Sequence, residues 1–344
     1  MKNKFKDILH YPISFIAFIS FISFFFAGCE KDISIVIPEG EEDVVVYGAI
    51  EQDLPPFIIL TKSLPVFATN DIETIQNSFV HNAIIKISDG NDTVQLYEYC
   101  LNEVEGAIKD IIVEEFDLFG AMQAGINFCV YSLDSNDYFS YLLCKINNSC
   151  DNANIFLGKT GKIYSLAIDA EGKKLSATTL IPQPIPLDSL WWMPHSDPKK
   201  DTLVVFWVRY TDPPGERNYA RYFTKRNQEP FFPGYFLSVF NDELINGESF
   251  NFPLERGQDE DPHEYNDNGQ HLDPSYGYFK KGDEIIIKWC QIDKAHYDFW
   301  RTLEVDKNSA GNPFGSPTKI ISNIDGGLGI WGGYGAFYDT LVVK

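Results

Sequence analysis

Ile163-Tyr-Ser-Leu-Ala-Ile168, then Asp169-Ala-Glu-Gly172, then Lys173-Lys-Leu175-Ser-Ala-Thr-Thr-Leu180 is the stretch that decides the fold class. Two short β-like runs flank a polar turn that ends in glycine, which is the pattern of a β-hairpin. The same pattern extends upstream. Val44 to Ile50, Phe57 to Thr61, Ala83 to Ile87 and Thr93 to Tyr99 are strand-like, and Asp89-Gly90 joins the last two. Helical segments do not alternate with these runs, so the reading is a β-sandwich and not a parallel sheet.

Downstream, Ile181-Pro-Gln-Pro-Ile-Pro-Leu187 cannot donate to a sheet ladder at its prolines and favours an extended path. It predicts a linker over 182–190 between an N-terminal domain, 44–181, and a C-terminal domain, 191–344. The second domain repeats the β pattern in Leu203 to Tyr210, Tyr219 to Lys225, Tyr235 to Asn241, Phe250 to Leu254 and Glu284 to Trp289, with Asn246-Gly247 as a turn. One helix is expected near 293–305. Asp293 can cap it, Ile292 and Tyr297 can staple it, and His296, Phe299, Trp300 and Leu303 fall at helical spacing. The expected fold is therefore all-β, with two immunoglobulin-like or transthyretin-like β-sandwich domains in tandem and one short helix in the second.

The N-terminus carries a different kind of signal. Lys2, Lys4 and Lys6 precede an apolar run from Ile13 to Phe26, followed by Ala27-Gly28-Cys29 and an abrupt polar shift. A basic start, a short apolar segment and small residues before a cleavage point make a signal peptide, and cysteine at the first mature position makes it the lipidated kind. The run is shorter than the ~20 residues that span a bilayer. Residues 1–28 are read as a lipoprotein signal peptide, Cys29 as the lipid attachment site, and 29–43 as a tether.

The net charge is −21. Loss of the basic leader makes the mature chain more acidic still, which argues against nucleic-acid binding and against adhesion to anionic lipid through a basic patch. A composition that is 44% hydrophobic and 15% aromatic excludes disorder. Cys100, Cys129, Cys144, Cys150 and Cys290 remain after Cys29, an odd set that leaves at least one thiol unpaired. Cys144 and Cys150 flank a short polar turn and are the disulfide candidate, with buried thiols as the alternative. The CxxC spacing of structural zinc or of redox motifs is missing.

Motifs of catalysis fail on context. Gly327-Leu-Gly329-Ile-Trp-Gly332 spells a dinucleotide fingerprint but leads into a strand-like run, Tyr334 to Val343, instead of a helix, so its glycines are read as turn-forming. Gly158-Lys159-Thr160 lacks the partner glycine of a phosphate loop, since position 153 is Ala153. The acidic segment Asp259 to Asp273 lacks the last glutamate of a calcium loop and reads as solvated. His195-Ser196-Asp197 is adjacency without the spatial assembly of a triad. His296 reads as a packed, hydrogen-bonded residue. No cofactor, metal site or catalytic residue is expected. Trp191, Trp192, Trp331 and Tyr334 are the candidate contact residues, as aromatics in segments where exposure is plausible.

Gly311-Asn312-Pro313-Phe314, Ser316-Pro317-Thr318, Ser322-Asn323-Ile324, Gly326-Gly327-Leu328-Gly329 and Gly332-Gly333-Tyr334 form the most distinctive string. Together with Val45-Val46-Tyr47-Gly48, Gly161-Lys162-Ile163-Tyr164-Ser165-Leu166 and Tyr297-Asp298-Phe299-Trp300, it resembles a family of Bacteroidota outer-membrane lipoproteins carrying the domain-of-unknown-function label 4249. The segment from Cys100 to Cys150 departs from that pattern. The resemblance implies an outer-membrane, surface-facing lipoprotein that acts as a non-enzymatic accessory or ligand-binding partner of a TonB-dependent transporter. Glu30-Lys31-Asp32 is similar to the acidic surface-export signals of such lipoproteins. Other classes of function are a hydrolase of glycan or peptide whose site is invisible in sequence, and a structural envelope protein.

Overall fold

The hairpin at 163–180 forms as Ile163–Ala170 and Lys173–Leu180, paired antiparallel with Ile168 opposite Leu175. Tyr164, Leu166, Ile168 and Ala170 point inward while their neighbours face solvent. The turn is tighter than the sequence suggests. Glu171 and Gly172 form it alone, both at positive φ (52° and 72°), the geometry that matches the twist of a two-residue hairpin.

A computed structural model describes residues 42–344 except 65–70, 107–108, 111, 114–117, 119–121, 148–149, 151–153, 216, 244, 259–275 and 310–318. The signal peptide, Cys29, nearly all of the tether, the acidic segment at 259–273 and the 311–318 string lie outside the described residues. No described helix is long and apolar enough to cross a membrane.

The N-terminal half contributes β1 (Val44–Glu51), β2 (Phe57–Lys62), α1 (Ile72–Ser78), β3 (Ile84–Ser88), β4 (Thr93–Cys100), β5 (Cys129–Ser132), α2 (Ser135–Ile146), β6 (Ile163–Ala170) and β7 (Lys173–Leu180). The C-terminal half contributes β8 (Ser189–Pro194), β9 (Leu203–Thr211), β10 (Tyr219–Arg226), β11 (Phe232–Pro233), β12 (Val239–Asn241), β13 (Ser249–Leu254), β14 (Phe279–Lys280), β15 (Glu284–Ile292), α3 (Lys294–Ser309) and β16 (Leu328–Val342). The fold is mostly β and sandwich-like, with the expected C-terminal helix present as α3. β8, β9, β13 and β14 form a separate sheet of 4 strands. The other 12 strands follow the order β11-β10-β15-β16-β1-β2-β5-β4-β3-β6-β7, with β12 also on β10.

That order corrects the tandem arrangement. Glu42–Lys344 is one compact unit, and a single strand crosses between its halves. The first part of β16 runs parallel to β1, Val45 opposite Leu328 through Glu51 opposite Tyr334; the second part runs antiparallel to β15, Gln291 opposite Gly335 through Glu284 opposite Val342. The two largest apolar cores lie one in each half. One gathers Val46, Ile50, Ile58, Ile85, Tyr131, Leu166 and Ile168, and takes Ile324 and Trp331 from the far end of the chain. The other lies between the sheet of 4 strands and the β10-β15 face, built from Phe206, Val208, Tyr222, Ile287 and Trp289. The Pro-rich segment is no free linker either. Ile181 is fully buried, and a Cβ at Gly335 would overlap the Pro182 carbonyl oxygen.

β16 also corrects the reading of 327–333 as turn. It is a strand buried on both faces from Gly329 to Ala336. Its glycines mark close approach: a Cβ at Gly329 would overlap the Val46 carbonyl, one at Gly332 the His296 ring, and one at Gly333 the Leu180 carbonyl.

Candidate interaction site

Two of the four flagged aromatics prove to be interior residues. Trp331 is 0% exposed, its Nε1 donates to the Tyr164 carbonyl at 3.1 Å, and its backbone is clamped by the Asn323 side chain. Tyr334 is buried with its hydroxyl accepting from Arg221 Nη1 at 2.9 Å. Neither ring offers a surface to a partner, because the glycines expected to expose them instead let the strand be covered. Trp191 and Trp192 are half-buried on β8, where Trp191 stacks on Trp207 at 6.1 Å and Trp192 packs against the second core.

Around Tyr334 lies a buried polar network within the C-terminal half. Arg221 Nε donates to Ser238 Oγ at 2.9 Å, and its guanidinium lies 3.7 Å from Glu304 and 3.4 Å from the centre of the Trp300 ring. Glu304 accepts from the Ser238 backbone N–H at 2.8 Å and from its hydroxyl. Nearby, Lys288 is paired with Glu51, which also accepts from the Tyr338 hydroxyl at 2.6 Å. Burial disfavours the Lys288 ammonium, but the Glu51 carboxylate outweighs it and holds the group above the usual lysine range.

His296, 1% exposed, sits at the start of α3 with Nδ1 facing the Gly333 carbonyl. Burial lowers it to about 4, against an opposing pull from Asp293. Asp293 caps the helix through the His296 N–H and binds Thr179 and Leu180 of β7 with its other oxygen. The Lys288–Glu51 pair and the bonds from Thr179 and Leu180 to Asp293 thus tie the two halves together.

The exposed feature is on α2. Asp134 caps it by accepting from the Asn136 and Asp137 N–H groups, and Tyr141 and Cys144 anchor its inner face. Cys144 is bonded to Cys150, which ties the last turn to the residues beyond it. On the outer face, Phe139, Leu143 and Ile146 are 56%, 45% and 77% exposed. Spaced four and three residues apart, they form one apolar stripe where a helix ordinarily presents polar side chains. The repeated apolar spacing of Tyr138-Phe139, Leu142-Leu143 and Ile146 was its signal in the sequence.

A second bond, Cys100–Cys129, crosses from β4 to β5 and leaves Cys290, buried, as the free thiol among the described residues. Leu101 N–H donates to the Phe128 carbonyl, so the next residues in register, Cys100 and Cys129, are a non-hydrogen-bonded pair whose side chains lie closest together. Beside them, His81 Nδ1 meets Glu98 Oε1, Cys100 Sγ is 3.5 Å from the same oxygen, and Asn82 N–H holds Glu98 Oε2 at 2.9 Å. This is the grouping of metal-ligand type among the described residues. Strand register brings it together, and twenty-odd residues of intervening chain hide it from any spacing rule.

A family model described as a domain of unknown function, DUF4249, matches residues 30–337. No curated protein matches the chain.

Proposed function

Because the chain belongs to the DUF4249 family, whose description assigns no activity, we propose that it is a lipid-anchored protein of the outer membrane that works by binding, as a non-enzymatic accessory to a TonB-dependent transporter. The observation that carries the binding reading is the apolar stripe Phe139-Leu143-Ile146 on a helix capped at one end and stapled by a disulfide at the other. A fixed apolar face loses little conformational freedom when covered. On a chain of net charge −21, such a face is also the kind of surface on which a partner can seat without a basic patch of its own. The lipoprotein signal and Cys29 support the membrane location, and the family resemblance supports the transporter as the partner.

The test is recovery of the transporter with the full, lipidated chain after mild detergent extraction, native against Phe139→Ser/Leu143→Ser. Loss of the transporter from the variant, with unchanged melting temperature, is the expected result. Equal recovery would remove α2 from the contact. Recovery of no transporter by the native chain, together with turnover of a glycan or peptide by the pure protein, would replace the accessory reading with the hydrolase.

A further inference from the structure

We propose that reduction of the Cys100–Cys129 disulfide converts this corner of the fold into a binding site for a soft divalent cation, zinc in chemical class, held by the two thiolates, His81 Nδ1 and a Glu98 carboxylate oxygen. One donor atom from each of the four residues already lies within 4.8 Å of every other. Zinc held tetrahedrally at about 2.3 Å from sulfur and about 2.0 Å from nitrogen or oxygen sets its ligands roughly 3.3 to 3.8 Å apart. The 3.5 Å between Cys100 Sγ and Glu98 Oε1 already falls in that range. Breaking the S–S bond lets the sulfurs separate by the further distance a shared ion requires.

The surroundings suit a cation better than the present pair of groups alone. His81 is open to solvent, which provides entry, while both cysteines are 2% exposed beneath Phe79 and Phe128. Glu98 is pinned by Asn82 N–H on one oxygen so that the other faces His81 and Cys100. An orienting bond of this kind is what metal-binding carboxylates use. Without an ion, a half-exposed His–Glu contact contributes little to stability.

The chemistry balances. A dithiol reductant supplies two electrons and two protons, becoming a cyclic disulfide as Cys100 and Cys129 become thiols. The cation then displaces both thiol protons to solvent. Two thiolates, one carboxylate and neutral imidazole give the site a net charge of −1 around a divalent ion. Oxidised and metal-bound states exclude one another, because the same sulfur electrons serve either the S–S bond or the ion.

Cobalt(II) is the probe, added to the full chain after reduction by a dithiol and removal of the reductant under argon. The expected result is one equivalent bound with a thiolate-to-cobalt band and tetrahedral visible absorption, and none with the oxidised protein. Since even residues that merely orient ligands cost 10–100-fold, His81→Ala and Glu98→Gln should each weaken binding by more than about tenfold. Both lie toward the surface and leave the strands intact. Cys144→Ser/Cys150→Ser should change nothing, which separates this site from the other released thiols. Absence of the thiolate band in the reduced chain, equal binding by the oxidised chain, or full affinity in both His81→Ala and Glu98→Gln would overturn the proposal.

Discussion

At the scale of the residue, the fold depends on atoms that are missing and on charges that are matched. Gly329 has φ of 107° and no room for a Cβ beside Val46. Gly329→Val should therefore cost roughly 3 kcal/mol or more, read as a lower urea midpoint; an unchanged midpoint would show that β16 is not packed as described. Lys288→Met strands the buried Glu51 carboxylate and should cost about 3 kcal/mol, most of it restored by adding Glu51→Leu. A double-mutant cycle measures this. His296 gives a pH signature. Its pKa falls from 6.5 in the unfolded chain to about 4 in the folded one, so between those values the unfolded state binds the extra proton. Stability should fall on acidification from pH 6.5 to 4 and lose this dependence below; His296→Gln should flatten that part of the curve. That His296 is interior was legible in the helical spacing. That Gly332 makes room for its ring was not, because the close approach of a side chain to a backbone distant in sequence leaves no trace in local pattern.

At the scale of the element, strands were read well where one face is dry and the other wet, as in β6 and β7, since alternation is then forced on the sequence. The first part of β16 escaped because a strand covered on both faces need not alternate, and glycines otherwise signal turns. The helices α1 and α2 escaped because segments of 7 and 12 residues carry too few turns for a helical period to stand out. The two disulfides should differ in consequence. On chain entropy alone, a bond with sequence separation 6 contributes about 2 kcal/mol and one with separation 29 about 3.5 kcal/mol. Cys144→Ser/Cys150→Ser should accelerate amide exchange in α2 while sparing β4 and β5, whereas Cys100→Ser/Cys129→Ser should lower the midpoint of global unfolding. Uniform loss of protection in both variants would mean that α2 is no separate local unit.

At the scale of the whole molecule, two β-rich halves could be read from the strand pattern and the Pro-rich segment between them, but their sharing of one strand could not, because it depends on pairing between the two ends of the described chain. The expected boundary at 182–190 thus falls inside one compact unit. A fragment of residues 42–190 should lack cooperative unfolding, since Ile324 and Trp331 complete its core; a sharp melting transition for that fragment would restore the two-domain picture. The membrane expectation is tested at this scale too. Cys29→Ser should move the full chain from the detergent phase to the soluble phase, and continued uptake of labelled fatty acid would refute the lipidation site. The parallel seam between β1 and β16 has a temporal side as well. Among the described strands, synthesis supplies β1 first and its parallel neighbour β16 last, so that edge of β1 stays unpaired while the strands between them are made. An unpaired strand edge of this kind is the surface that invites wrong pairing, and the late strand is what closes it.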